Sequence, residues 1–144
     1  MESKTIRKVT LSLSITLFLL SLMFDSFCTT DGCMPSILAL ALGVVGVFLG
    51  NAFLAWLCNP LLLLSWIIIK RSPTASLIFG ISALLVSLSF MFYDDIDNVE
   101  TGEMEDIIEY KLGYWLWVLS SLPIIVGNLV QLKLKKLNQS SNEE

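Results

Sequence analysis

Charged residues are nearly absent from four stretches of this chain, and the polar residues collect between them. The first apolar segment runs from Val9 to Phe24, with Phe27 able to extend it, and follows Lys4, Arg7 and Lys8. In the second, no charge occurs from 32 to 69, and Ser36 to Ile69 is almost continuously apolar. The third, Ser72 to Tyr93, holds 22 uncharged residues, and the fourth, Leu112 to Leu132, holds 21. A bilayer hydrocarbon core needs about 20 helical residues per crossing. The pattern predicts an all-α integral membrane protein: a four-helix transmembrane bundle. Its crossings fall at about 9–27, within 36–69, at 72–93 and at 112–132, in one membrane domain (1–137) with a polar cytoplasmic tail (138–144). A signal peptide would share the basic start and apolar middle of the first segment, but Asp25-Ser26-Phe27-Cys28 makes a poor cleavage site.

The second stretch fits this scheme least easily. As one helix, Ser36–Ile69 would reach roughly 50 Å, too long for one upright crossing and too short for two with a turn between them. Pro60 cannot donate to the Trp56 carbonyl and predicts a kink; Gly50–Asn51 is a weaker breaker. Three geometries follow. The first is a re-entrant or outer-leaflet segment at 36–49 before a crossing. The second is a crossing at 36–58 before a short buried piece, and the third is one tilted helix kinked at Pro60. Asn51, Asn59 and Pro60 form a candidate intramembrane polar site, because an amide in lipid needs partners. They either line a polar cavity, or Asn59 caps carbonyls freed by Pro60 while Asn51 bonds a neighbouring helix.

Mean hydropathy is +0.75 and the apolar share is 55%, above the range of soluble domains. The net charge of −4 hides a segregation. Lys4, Arg7, Lys8, Lys70, Arg71, Lys133, Lys135 and Lys136 flank alternate segment ends, whereas the acids lie mainly at Asp25, Asp31 and from Asp94 to Glu109. The positive-inside rule then places both termini and the Lys70–Arg71 loop in the cytoplasm, so the long run crosses once. Phe24, Phe27, Tyr93, Tyr110, Tyr114, Trp115 and Trp117 fall near the outer ends, as interfacial aromatics do.

Small residues recur at helical spacing. Ala39, Gly43, Gly46 and Gly50 share one face of the second segment, and Ser76, Gly80, Ala83 and Ser87 share one face of the third. Such stripes let helix backbones approach closely in lipid, within the chain or between copies. Cys28 and Cys33 form a candidate disulfide on the outer side. Asp94, Asp95, Asp97, Glu100, Glu103, Glu105, Asp106 and Glu109 make a candidate outer docking loop for a basic partner, or a solvated negative surface. Read as a calcium loop it fails, since Val99 and Glu100 occupy a ligand and the turn-glycine position. Met104, Ile107, Ile108 and Leu112 follow helical spacing and predict an amphipathic lead-in to the last helix.

Catalysis is not expected. The chain has no histidine, no ionisable group inside a predicted crossing, and no nucleotide, metal or nucleophile motif, so no cofactor and no nucleic-acid partner are expected. Ala55-Trp56-Leu57-Cys58-Asn59-Pro60-Leu61 and Gly113-Tyr114-Trp115-Leu116-Trp117 resemble segments of small, mostly uncharacterised four-pass inner-membrane proteins of bacteria. That resemblance implies a bacterial inner-membrane location and no particular activity. The expected partners are the lipid bilayer and another protein, or a second copy through transmembrane helices. The expected function is non-enzymatic protein–protein interaction, for instance as an immunity or defence component. A small homo-oligomeric channel is the alternative. A thiol-disulfide oxidoreductase is a third reading; membrane oxidoreductases of that kind use Cys-x-x-Cys and a second cysteine pair.

Overall fold

The computed structural model describes residues 2–48, 50–97 and 103–140. Helix α1 spans Glu2–Ser21. The chain then turns into a hairpin, β1 (Asp25–Thr29) and β2 (Gly32–Pro35), joined by the two-residue turn Thr30–Asp31. Helix α2 (Ser36–Gly46) leads through a tight reversal to a 3-10 helix, Asn51–Leu57, which passes into α3 (Cys58–Ile68). Helix α4 (Pro73–Ser89) ends in a 3-10 turn, Phe90–Phe92. Strands β3 (Asp95–Asp97) and β4 (Met104–Tyr110) follow, then α5 (Leu112–Leu119) and α6 (Ser121–Ser140). The strands form one antiparallel sheet in the order β2-β1-β4-β3.

The fold is therefore mixed, and the expected all-α four-helix transmembrane bundle is corrected. Among the described residues, two helices are long and apolar enough to cross a membrane, Pro73–Phe92 and Leu112–Ser140; Ser36–Gly46 and Ala52–Ile68 are shorter apolar helices. Three local departures account for the difference. The first helix stops at Ser21 and takes the basic residues Lys4, Arg7 and Lys8 into its own length, while Phe27 joins a strand. The long run folds back on itself. Residues 104–110 are a strand rather than the expected amphipathic lead-in, because β1 and β3 hydrogen-bond them on both sides. The tail differs too: α6 continues to Ser140, and residues 141–144 lie outside the described residues.

The reversal in the long run has a clear cause. Gly50 adopts φ 82°, ψ −147°, a conformation that essentially only glycine reaches. Gly43 and Gly46 then lie against the rings of Trp56 and Phe53, where a Cβ on either glycine would overlap the aromatic ring. The Trp56 indole donates to the Leu40 carbonyl at 2.8 Å. Of the three expected geometries, the single tilted helix kinked at Pro60 is corrected, because α2 and the 3-10/α3 segment are separate helices on either side of Gly50. Pro60 is not a mid-helix kink. It sits in the first turn of α3, directly after the 3-10 helix, and its missing N–H leaves the Trp56 carbonyl to another donor.

The helices give the molecule two chemically distinct ends. Ser14 of α1 donates to the Ser120 carbonyl at 2.6 Å, and Thr10 lies against Gly127, so α1 runs antiparallel to the α5–α6 column. Lys4, Arg7 and Lys8 thus share an end with Lys133, Lys135 and Lys136, and the Lys70–Arg71 turn between α3 and α4 falls there too. The sheet, with its acids, occupies the opposite end.

The interior mixes small polar and apolar side chains, and the surface is rich in large apolar ones. Thr10, Ser14, Ser21, Ser65, Ser76, Ser87, Ser120 and Asn128 are buried beside Leu62, Ile69, Phe90, Tyr114 and Ile124, whereas Leu13, Leu19, Val45, Ile67, Ile78, Leu85 and Val126 are exposed.

Candidate functional site

Two polar clusters knit the helices. At the basic end, Ser65 and Ser76 each donate to the other's carbonyl, at 2.8 and 2.9 Å, with hydroxyls 3.0 Å apart. Asn128 of α6 adds a bond from Nδ2 to Ser76 Oγ at 2.8 Å, joining three helices at one fully buried hydroxyl. Nearby, Trp66 donates to Ser14 Oγ at 2.9 Å. Asn128 Oδ1, Gln131 Nε2 and Ser121 Oγ are buried with no hydrogen-bond partner among the described residues. Asn128 and Gln131 were not picked out from the sequence. Their signal was two amides three residues apart in an uncharged segment, hence on one helix face.

The second cluster surrounds Asn59. Its Nδ2 donates at 2.9 Å to the Trp56 carbonyl, the group that Pro60 cannot serve, and its Oδ1 accepts from Trp117 Nε1 at 2.9 Å. Asn59 therefore repairs the proline's lost bond and ties α3 to α5. The Asn51 side chain lies outside the described residues.

The small-residue stripes face partners within the chain. Gly43 and Gly46 meet Trp56 and Phe53, and Gly80 faces Ile124. Ser76 bonds Ser65 and Asn128, Ala83 packs with Cys58, Leu62 and Ile124, and the Ser87 carbonyl accepts from Tyr114 Oη at 3.1 Å. Gly50 serves the turn, and Ala39 borders the cavity described below.

At the acidic end, Cys28 and Cys33 stand opposite each other on β1 and β2 and are joined by a disulfide. Cys58, the free cysteine, is buried at the start of α3. Asp94, Asp95, Glu103, Asp106 and Glu109 are exposed, while Asp97 and Glu105 are half-buried. Glu100 lies outside the described residues. Thr29 donates to Glu105 Oε2 at 2.5 Å, and Lys111 forms an ion pair with Glu109 at 2.5 Å. The expected loop is thus largely strand and strand edge. Phe27, Phe90, Tyr110 and Tyr114 pack beneath it, with ring centroids 5.0 to 5.8 Å apart. Burial, then the neighbouring Asp94 carboxylate, raises the Tyr110 phenol above its ordinary pKa of 10.0.

Between this sheet and the Asn59 cluster lies a cavity of about 290 Å³. Helix α2 forms one wall through Ala39 and Gly43; the end of α1 and the start of α5 form the other through Phe18 and Tyr114. Thr29, Asp97 and Glu105 border its sheet end, and Asn59 and Trp117 its deep end. Ser36 Oγ, on this lining, is buried with no hydrogen-bond partner among the described residues. The cavity was not legible in the sequence, because its walls come from segments far apart in the chain.

No family model, no curated protein and no solved structure matches this chain.

Proposed function

We propose that this protein is a non-enzymatic integral membrane protein that works by binding another protein. The observation that carries the membrane half of this reading is the surface: leucine, isoleucine and valine side chains of the helices are exposed in number, while serine, threonine and asparagine side chains are turned into the contacts between helices. In water that arrangement would leave a large apolar surface exposed; in lipid it is the favourable one. Pro73–Phe92 and the Leu112–Ser140 column cross the bilayer, with α1 and α3 alongside. The basic end lies in the cytoplasm with both termini, following the excess of Lys and Arg there, and a bacterial inner membrane fits the resemblance of its Trp-rich segments. The acidic sheet then faces the oxidising side, where a disulfide persists.

The binding half rests on that sheet. It presents Asp94, Asp95, Asp106 and Glu109 on a frame stapled by Cys28–Cys33, with Met104 and Ile108 exposed among the acids. Apolar side chains ringed by charge suit a basic protein partner, whose approach the negative field would steer. One concrete form is an immunity or defence component that blocks a pore-forming toxin.

The test is charge reversal rather than deletion, because removing 94–109 would also remove β3 and most of β4. Asp94→Lys, Asp95→Lys and Asp106→Lys together are expected to strip co-purified protein from a mild-detergent extract, and wild-type capture should fall as salt rises. An unchanged set of captured proteins would overturn the docking-face reading.

A further inference from the structure

We infer that the cavity between α2, α5 and the sheet holds one hydrocarbon chain of a membrane lipid whose headgroup carries an amine. Three observations meet at this site. The first is shape and lining: about 290 Å³, walled by Phe18, Ala39, Trp56, Tyr114 and Trp117. A space of this size lined by aromatic and aliphatic side chains suits an apolar ligand. It is also reachable from lipid. Helix α2 packs mainly on the 3-10 helix and the bases of β1 and β2, and Leu38 on the cavity rim is 49% exposed.

The second observation is the Ser36 hydroxyl. It is only 7% exposed, borders the cavity and has no hydrogen-bond partner among the described residues. A buried hydroxyl left unpaired is costly, because it has given up its bonds to water without replacing them. Ser36 opens α2, next to the strands and above the aromatic wall. A chain inserted from the sheet side brings its ester oxygens to this level, where they can accept the serine proton.

The third observation is charge. Asp97 and Glu105 border the sheet end of the cavity, and Asp25, Asp94, Asp95 and Asp106 lie on or beside the same sheet. Lys111, the basic residue nearest to them in the chain, is already paired with Glu109. An anionic headgroup would meet this field as a like charge; an ammonium group would meet it as a partner. Charge selects the headgroup, and the apolar wall selects the chain.

The test uses the full-length protein in mild detergent, titrated with dioleoyl-phosphatidylethanolamine or dioleoyl-phosphatidylglycerol and read by native mass spectrometry. A single ethanolamine-lipid adduct is expected, about tenfold more occupied than the glycerol-lipid adduct at equal concentration. Ala39→Phe, which fills the cavity, is expected to abolish it. Ser36→Ala, which leaves the space open, is expected to lower occupancy about threefold through the lost hydroxyl bond. Should Ala39→Phe unfold, Ser36→Ala and the pair Asp97→Asn with Glu105→Gln carry the test, the pair erasing the headgroup preference. Equal occupancy by the two lipids overturns the proposal, as does an adduct unaffected by these substitutions. A dodecylamine adduct without an ethanolamine-lipid adduct also overturns the assignment to a membrane lipid.

Discussion

The two ends of the helical body are held together by different physics. At the basic end, α3, α4 and α6 meet around Ser76 through short side-chain bonds, and small residues let the backbones close in. At the acidic end, helices spread around an aromatic cluster, a cavity and a disulfide-stapled sheet. Hydrogen bonds between helices specify one arrangement because each donor must find its acceptor. Packed rings around a cavity tolerate adjustment. On this contrast the basic end is expected to carry the stability, and the acidic end the ligand and partner binding proposed above.

The sharpest way to break that contrast is Ser76→Leu. It removes the hydroxyl shared by Ser65 and Asn128 and forces a larger side chain into a fully buried position. A loss of about 3 kcal/mol is expected, seen as early detergent or thermal unfolding of the whole helical body. A loss below ~1 kcal/mol would mean that the basic end is not the stable one.

Cys33→Ser comes next. Opening a six-residue loop removes about 2 kcal/mol on chain-entropy grounds. The expected consequence is local: faster amide exchange in β1 and β2, with the Ser76 cluster unchanged. Unfolding of both ends together would show one cooperative unit instead of two.

The smallest effect concerns Tyr110. Its raised phenol pKa means that the folded state favours the neutral form, so its contribution is fully present below about pH 10 and is lost as pH climbs through the folded-state value. Alkaline titration should loosen the junction between sheet and helices slightly, and Tyr110→Phe should remove that step. Near-ultraviolet circular dichroism at the tyrosine band would follow both.

Several features were legible before the fold was known. The Cys28–Cys33 bridge could be read because both residues lie in one short connection. Asn59 as the repair for Pro60 could be read because the bond concerned spans three residues. A break near Gly50 is one of the geometries the sequence allows, since glycine followed by asparagine weakens a helix. Residues 104–110 were misread for a physical reason. Met104, Ile107 and Ile108 satisfy helical spacing, but β1 and β3 are available on either side and the ladder bonds outweigh that periodicity.

By itself, the sequence determined where apolar segments lie and that positive and negative charge gather at separate sites, because hydropathy and charge belong to local composition. Only the tertiary structure decided that the outer connections become one sheet, that 36–69 breaks at Gly50 into segments that fold against each other, and that Asn128 and Ser76 meet. The cavity beneath the sheet belongs with these. Each depends on contacts between residues tens of positions apart, and those contacts depend on how whole segments pack together.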